Sequence, residues 1–116
     1  MKHAVAALVV LAVAACGQTP ESTTYGDAGV TIEIEFVNGE VIPLNEFIDV
    51  TVGEPVNLHV LSDVDEKIHV HSDPEHTFEV AAGDDQTFTF TIGRPGDVVV
   101  DAHVLDVTIA QLVAAP

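Results

Sequence analysis

Strict alternation of apolar and polar residues is the feature that most limits the folds open to this chain. In residues 31–36, isoleucine or phenylalanine at every second position alternates with threonine and glutamate. The same alternation recurs in residues 47–52, 56–60 and 86–92. A period of two places successive side chains on opposite faces of a β-strand. No stretch of residues 30–116 has a sustained period of 3.6, so the chain is predicted to be all-β.

Turn-forming residues separate these strands at short intervals. Asn38-Gly39 is typical of a two-residue hairpin, and Pro43 ends the strand that follows it. Further short strands are predicted in residues 40–42, 68–71, 77–80, 98–101 and 107–113. Seven to nine short strands at this spacing predict a Greek-key β-sandwich. The length of 116 residues suits a single domain.

The first residues are similar to a bacterial lipoprotein signal. Residues 1–3 are positively charged, and residues 4–15 contain only Ala, Val and Leu. This apolar run is too short to span a bilayer as a helix, which needs about 20 residues. It ends directly before Cys16, the only cysteine in the chain. We expect residues 1–15 to be a lipoprotein signal peptide, removed to leave a lipidated Cys16. The alternative is an ordinary secretory signal with an incidental cysteine.

The segment after the signal has the composition of a linker. Residues 16–29 combine turn formers with polar residues and are expected to be flexible, with the lipid carried by Cys16. Residues 30–116 are expected to form the folded domain. A lipid on Cys16 would anchor the protein to the cell membrane, at the extracytoplasmic face of a bacterial envelope.

Acidic residues dominate the charge. The chain has 19 acidic and three basic residues, for a net charge of −16. Such a surface repels nucleic acid and anionic lipid headgroups, so nucleic acid is not an expected partner. A solvating surface suited to high salt is the simplest interpretation. Attraction of cations or cationic partners is the alternative.

Histidines are concentrated in one segment. Three of the six lie in residues 67–76. His69 and His71 are two apart, so on a strand they share a face, with Cα atoms about 6.5 Å apart. Because Ile68 and Val70 are suited to the core, the histidine pair is expected on the outer face or under a covering loop. The pair is either part of a metal site or simply a polar face of the sheet.

Two other histidines have less distinctive surroundings. His59 alternates with apolar residues, so it is expected to be an outward-facing surface side chain. His76 follows Pro74 and is expected in a solvent-facing loop. Residues 62–66 are predicted to be an acidic loop between two strands.

The order of strands and turns resembles the cupredoxin fold of plastocyanin-type copper proteins. Residues 65–71, 88–90 and 94–103 are particularly similar to a group of bacterial cupredoxin-like lipoproteins. Those proteins carry an HVHGYD-like segment where this chain has His69-Val70-His71. The resemblance covers residues 30–113 and implies a cupredoxin-like sandwich.

The resemblance also implies where copper ligands would lie. Blue-copper cupredoxins bind copper through a His, a Cys, a second His and usually a Met. His69 matches the first His of this pattern, and His103 lies where the second should be. The Cys would fall at Val100 or Ala102 and the Met near Thr108, and this chain has neither residue there. A blue-copper electron-transfer site is therefore not expected.

The remaining donors are nitrogen and oxygen atoms, which suit copper(II), zinc or nickel(II) better than copper(I). We predict His69, His71 and His103 as metal ligands, with copper(II) or zinc as the ion. Asp101 or His76 would supply a fourth ligand. Alternatively, His103 is an ordinary strand-end residue hydrogen-bonded to a nearby aspartate.

Two functions stay open at this point. The first is a membrane-anchored protein of the cell envelope that binds copper or zinc for storage, delivery or homeostasis, beside an envelope protein or transporter. The second is a metal-free cupredoxin-like module that serves as a binding or structural domain on the cell surface. No phosphate loop or nucleophile elbow is present, so the protein is not expected to be an enzyme.

Overall fold

The structure is a computed structural model that describes residues 29–116. The predicted signal peptide, the lipidated Cys16 and nearly all of the predicted linker lie outside these residues. No helix within residues 29–116 is long and apolar enough to cross a membrane. The described part contains nine strands: β1 (Val30–Val37), β2 (Glu40–Ile42), β3 (Glu46–Thr51), β4 (Pro55–Ser62), β5 (Glu66–Val70), β6 (His76–Val80), β7 (Asp85–Thr91), β8 (Gly96–Ala102) and β9 (Val107–Ala115).

The strands form two sheets. One sheet has the order β2-β1-β4-β7, and the other has the order β3-β9-β8-β5-β6. The β1–β4 and β3–β9 pairs are parallel, and all the other pairs in these two sheets are antiparallel. Parallel strands cannot be joined by a tight hairpin, so each of these two pairs requires a long connection. The predicted all-β Greek-key sandwich of seven to nine strands is confirmed.

The first hairpin forms where the sequence predicts it. Asn38 and Gly39 have φ values of 53° and 75°, and Val37 pairs with Glu40 across the turn. Two central residues with positive φ match the twist of the flanking strands. Asparagine and glycine tolerate this conformation better than other residues.

The core lies between the two sheets and follows the predicted alternation. On β1 the side chains of Ile32, Ile34 and Phe36 are buried, and the residues between them are exposed. On the facing sheet, Ile68 and Val70 of β5 are completely buried. Each fully buried aliphatic or aromatic side chain contributes about 1.5–3 kcal/mol relative to an exposed one. This apolar contact fixes the strands of the two sheets against each other, and so it fixes the positions of the outward-facing residues along each strand.

A β-bulge interrupts the β8–β9 ladder beside the outer face. Val100 pairs with Ala110, whereas the next residue, Asp101, pairs with Thr108. The extra residue on β9 is Ile109, and both Ile109 and Ala110 are buried. The bulge brings Thr108 opposite Asp101, and its hydroxyl donates to the Asp101 carboxylate over 3.2 Å.

Aromatic side chains close one side of the sandwich, where β6 of one sheet approaches β7 of the other. Phe78 stacks on Phe88, with ring centroids 5.0 Å apart and an interplanar angle of 22°. Phe78 also lies 6.0 Å from Phe90, which is buried. These ring contacts connect the two sheets at a position where no backbone hydrogen bonds do so.

Candidate functional site

His69 of β5 and His71, which directly follows this strand, lie on the outer face of the five-stranded sheet. Ile68 and Val70 are fully buried, whereas His69 is half-buried and His71 is exposed. The prediction that His69 and His71 share the outer face is therefore confirmed. Their position follows from the alternation of the strand and from the need to bury Ile68 and Val70.

The neighbouring strand β8 places Asp101 on the same face, and His103 follows at the start of the β8–β9 turn. His69 pairs in register with Asp101, and the His103 backbone N–H donates to the Lys67 carbonyl over 2.8 Å. Side chains directly opposite on antiparallel strands have Cβ atoms about 4.5–5.5 Å apart, and diagonal neighbours are about 7 Å apart. His71, Asp101, His69 and His103 thus form a zigzag across two paired strands.

The imidazole rings are close but not convergent. The centroids of His69 and His103 are 4.9 Å apart, and the rings are stacked with an interplanar angle of 22°. The centroids of His69 and His71 are 6.0 Å apart, with an angle of 72°. The structure therefore brings the three predicted histidines together as neighbours, and His69 occupies the central position.

Carboxylates orient the ring of His71. Its Nε2 atom lies 2.7 Å from an oxygen of Asp101, and its Nδ1 atom lies 3.2 Å from an oxygen of Glu75. The second oxygen of Asp101 accepts a hydrogen bond from the Thr108 hydroxyl. Asp101, one of the two predicted fourth ligands, thus belongs to the cluster and already contacts one of its histidines.

The observed rotamers do not form a metal-binding group. A bound metal ion lies in the plane of each imidazole and about 2.0 Å from its nitrogen, so two stacked rings cannot share an ion without rotating. Within residues 29–116, no set of three or more His, Cys, Asp or Glu side chains is arranged to hold a metal. Binding would require His69 or His103 to turn about its side-chain bonds, as a partly exposed side chain can.

The structure places His76 elsewhere, and the prediction of a solvent-facing loop is wrong for this residue. His76 is the first residue of β6 and pairs with Val70, so it shares the inner face with that buried valine. It is half-buried, and its ring stacks on Phe78 and lies tilted against Phe90, at centroid distances of 5.9 and 5.5 Å. The sheet separates His76 from the three clustered histidines, so it cannot supply their fourth ligand.

His59 lies on the outer face of the other sheet, as predicted, but both of its ring nitrogens contact carboxylates. Its Nδ1 atom contacts the carboxylate of Glu33 on β1, and its Nε2 atom contacts the carboxylate of Asp85 on β7. Hydrogen bonds to Glu33 and then to Asp85 raise the pKa of His59 above its ordinary value of 6.5, against a smaller opposing effect of desolvation. Because the two carboxylates lie on opposite sides of the ring, they do not form a metal site with it.

Glu66, beside the cluster, is not where the sequence predicts it. The acidic loop predicted for residues 62–66 includes Glu66, but this residue is the first of β5 and is only 2% exposed. Its carboxylate accepts backbone hydrogen bonds from Val104 and Leu105 in the turn between β8 and β9. The signal was available in the sequence, because Glu66 is in phase with Ile68 and Val70 on the inner face.

Comparisons with known proteins identify the fold. No family model matches the chain, and no curated protein matches it. Auracyanin B matches with a TM-score of 0.55 at 10% identity, covering 75% of this chain and 89% of that one. The auracyanin of Roseiflexus castenholzii matches with a TM-score of 0.53 at 16% identity, covering 74% of this chain and 97% of that one. A purple cupredoxin from Nitrosopumilus maritimus has a TM-score of 0.53 at 15% identity, with coverage of 74% and 99%.

Each of these structures matches about three quarters of this chain. Their low identity supports a conclusion about architecture and about nothing else. The chain therefore has a cupredoxin-like fold, as the sequence resemblance implies. The two positions at which that resemblance places a cysteine, Val100 and Ala102, are buried apolar residues of β8.

Proposed function

We propose that this protein is a metal-binding protein of the bacterial cell envelope that holds copper(II) or zinc through His69, His71 and His103. The observation that carries the proposal is the zigzag on β5 and β8, in which His69 lies between His71 and His103. Strands β5 and β8 carry His69 and Asp101. Backbone hydrogen bonds fix the two flanking histidines, since the His71 N–H donates to Val99 and the His103 N–H donates to Lys67. Rotation of the side chains is the change that we propose for a convergent set.

The chemistry of the donors selects the metal. The cluster offers imidazole nitrogens and the carboxylate of Asp101, which suit copper(II) and zinc. The only cysteine and the only methionine of the chain are Cys16 and Met1, and neither is near the cluster in sequence. Without a thiolate or thioether, the cluster is a poor ligand set for copper(I) and for a blue-copper centre.

Neighbouring carboxylates support the ligands. A metal-bound imidazole is usually oriented by a carboxylate on its second nitrogen. For His71, Asp101 and Glu75 are already at the two nitrogens. Rotation of one carboxylate away from the ring would free a nitrogen for the metal, while the other would keep the ring in place.

The role proposed for this site is storage, delivery or homeostasis of the ion, and not catalysis. An exposed site on the outside of a sheet can exchange its ion with an envelope protein or a transporter. The acidic surface raises the local concentration of cations. A lipid on Cys16, after removal of residues 1–15, would hold the domain at the extracytoplasmic face of the cell membrane.

A metal-free cupredoxin-like module is the second candidate, and two observations favour it. In the observed rotamers, the ring nitrogens of His71 both face carboxylates, and the rings of His69 and His103 are stacked. A domain of this kind would present its acidic surface to a partner without binding an ion.

Metal titration separates the two candidates. The purified full chain should bind one copper(II) or zinc ion, measured by calorimetry and by metal analysis after dialysis. His69→Ala and His103→Ala should each weaken binding by more than about tenfold, since even the loss of an outer hydrogen-bond partner costs that much at metal sites. His59→Gln is the matched control, because it removes a histidine from the opposite sheet.

The double variant His69→Ala/His103→Ala provides the decisive comparison. Unchanged stoichiometry and affinity in this variant would eliminate the proposed site. Failure of the wild-type chain to bind either ion would instead support the metal-free module.

A further inference from the structure

Glu66 is the exception among the charged side chains of this acidic protein. Within residues 29–116, it is the only charged side chain that is almost completely buried. Burial of a carboxylate is costly unless hydrogen bonds or an opposite charge compensate for it. The metal site as described does not use Glu66, so its burial requires a separate explanation.

Backbone N–H groups compensate for the buried carboxylate. One oxygen of Glu66 accepts from Lys67 and from Val104, each over 2.7 Å, and the other accepts from Leu105 over 3.1 Å. The ammonium group of Lys67 points away and pairs with Glu79 at 3.4 Å. All three bonds have a charged acceptor, so they are stronger than bonds between neutral groups.

Two of these donors belong to the turn that joins β8 to β9. Three consecutive backbone N–H groups of this turn donate to the beginning of β5: His103 to the Lys67 carbonyl, and Val104 and Leu105 to the Glu66 carboxylate. The Val104 side chain is 68% exposed, whereas Leu105 is half-buried and packs against the core. Hydrogen bonds therefore hold the turn together with this one apolar contact, and Glu66 accepts two of the three bonds.

We propose that Glu66 is the positioning residue of the histidine cluster, because it fixes the turn that carries His103 and so keeps the His103 ring against His69. This inference rests on the proposed function for its consequence: a docked turn keeps the His103 backbone beside His69, so that rotation of the stacked rings can bring both imidazoles to one ion. The ring stack of 4.9 Å joins His69 of β5 to His103 of the turn. We expect this stack to be lost when the turn leaves β5. Glu66 itself does not touch the metal.

Glu66→Gln tests this role with almost no change in size. An amide replaces one acceptor oxygen by an NH2 group, which then faces a backbone N–H donor. We expect the turn to lose at least one of its two hydrogen bonds to the side chain of residue 66. In the metal-free full chain, the Val104 and Leu105 amides should exchange with solvent about tenfold faster or more, while amides of β1 and β4 stay unchanged. The contact between the His69 and His103 ring protons, measured by NMR, should weaken.

Metal affinity is the second readout. Glu66→Gln should weaken copper(II) or zinc binding by about 10- to 100-fold, the range typical of outer-shell partners. Asp106→Asn is the matched control, because it removes one negative charge from the same turn without touching the Glu66 hydrogen bonds. It should leave amide exchange and the ring contact unchanged and alter affinity much less.

The outcomes separate this inference from the proposed function. Unchanged exchange and an intact ring contact in Glu66→Gln would overturn the positioning role, as would an affinity loss no larger than that of Asp106→Asn. If the wild-type chain binds neither ion, the proposed function fails, and amide exchange with the ring contact still decides whether Glu66 holds His103 in place. If Glu66→Gln does not fold, Glu66→Asp replaces it, because the shorter carboxylate keeps the charge but retracts from the turn.

Discussion

The ring of His59 contacts the carboxylate of Glu33, its register partner on the neighbouring parallel strand. Asp85 contacts the other ring nitrogen from β7. One imidazole therefore connects three adjacent strands on the outer face of the four-stranded sheet. Both partners are acidic, so the arrangement favours the protonated ring and raises the pKa of His59 above 6.5.

The raised pKa of His59 predicts a pH-dependent stability. A group whose pKa is higher in the folded state than in the unfolded state stabilises the fold fully below the unfolded pKa. That contribution disappears as the pH rises through the folded value. We expect the free energy of unfolding to fall between pH 6.5 and the raised folded pKa of His59, measured by urea titration at a series of pH values.

A variant isolates this effect from the other titrating groups. His59→Gln keeps a polar side chain between Glu33 and Asp85 but does not titrate. The difference in unfolding free energy between wild type and variant should be largest below pH 6.5 and should shrink as the pH rises. A difference that stays constant with pH would contradict the prediction.

The strands and their faces were predictable because period-two alternation depends only on local sequence. Ile32, Ile34 and Phe36 are buried as predicted, and His69 and His71 lie on the outer face for the same reason. The first hairpin was predictable from Asn38-Gly39. Pairing between distant strands has no such local signal, so the alternation does not give the contact between β5 and β8 that unites the histidines.

The two wrong assignments beside the site share one cause. The polarity of Glu66 and His76 and the loop-forming residues nearby predict exposure, yet both side chains face inward. Backbone N–H groups compensate for Glu66, and aromatic rings cover His76. Each residue has partners that are distant in sequence, in the β8–β9 turn for Glu66 and in β7 for His76. Polarity alone therefore could not reveal that both side chains face inward.

Gly29 should tolerate no side chain. Its φ is +72°, and a Cβ atom there would lie 1.7 Å from the carbonyl oxygen of Pro55. Gly39 has a similar φ of +75° but open space around it. Gly39→Ala should cost about 1–2 kcal/mol for the left-handed backbone, and Gly29→Ala roughly 1–3 kcal/mol more for the steric conflict. Urea unfolding of both variants measures the difference, and equal costs would contradict the predicted close approach.

Phe78 and Phe88 should be energetically coupled across the two sheets. Their rings stack with centroids 5.0 Å apart, and such pairs contribute about 0.5–1.5 kcal/mol beyond the area they bury. A double-mutant cycle with Phe78→Leu and Phe88→Leu measures this coupling. The control cycle combines Phe78→Leu with Phe47→Leu. Phe47 is 67% exposed and lies on the far edge strand β3, so the effects of these two substitutions on stability should be additive. Additivity in both cycles would show that the aromatic contact does not connect the sheets.

Copper(II) bound to this chain should show nitrogen and oxygen ligation without sulfur. The described part of the chain contains neither Cys nor Met, so a thiolate-to-copper charge-transfer band should be absent. Electron paramagnetic resonance should instead show splitting from imidazole nitrogens, which His71→Ala should reduce. Asp101→Asn should lower copper affinity by about 10- to 100-fold, because it removes the carboxylate that contacts His71. An intense charge-transfer band, or splitting that all three single histidine variants leave unchanged, would place the ion elsewhere.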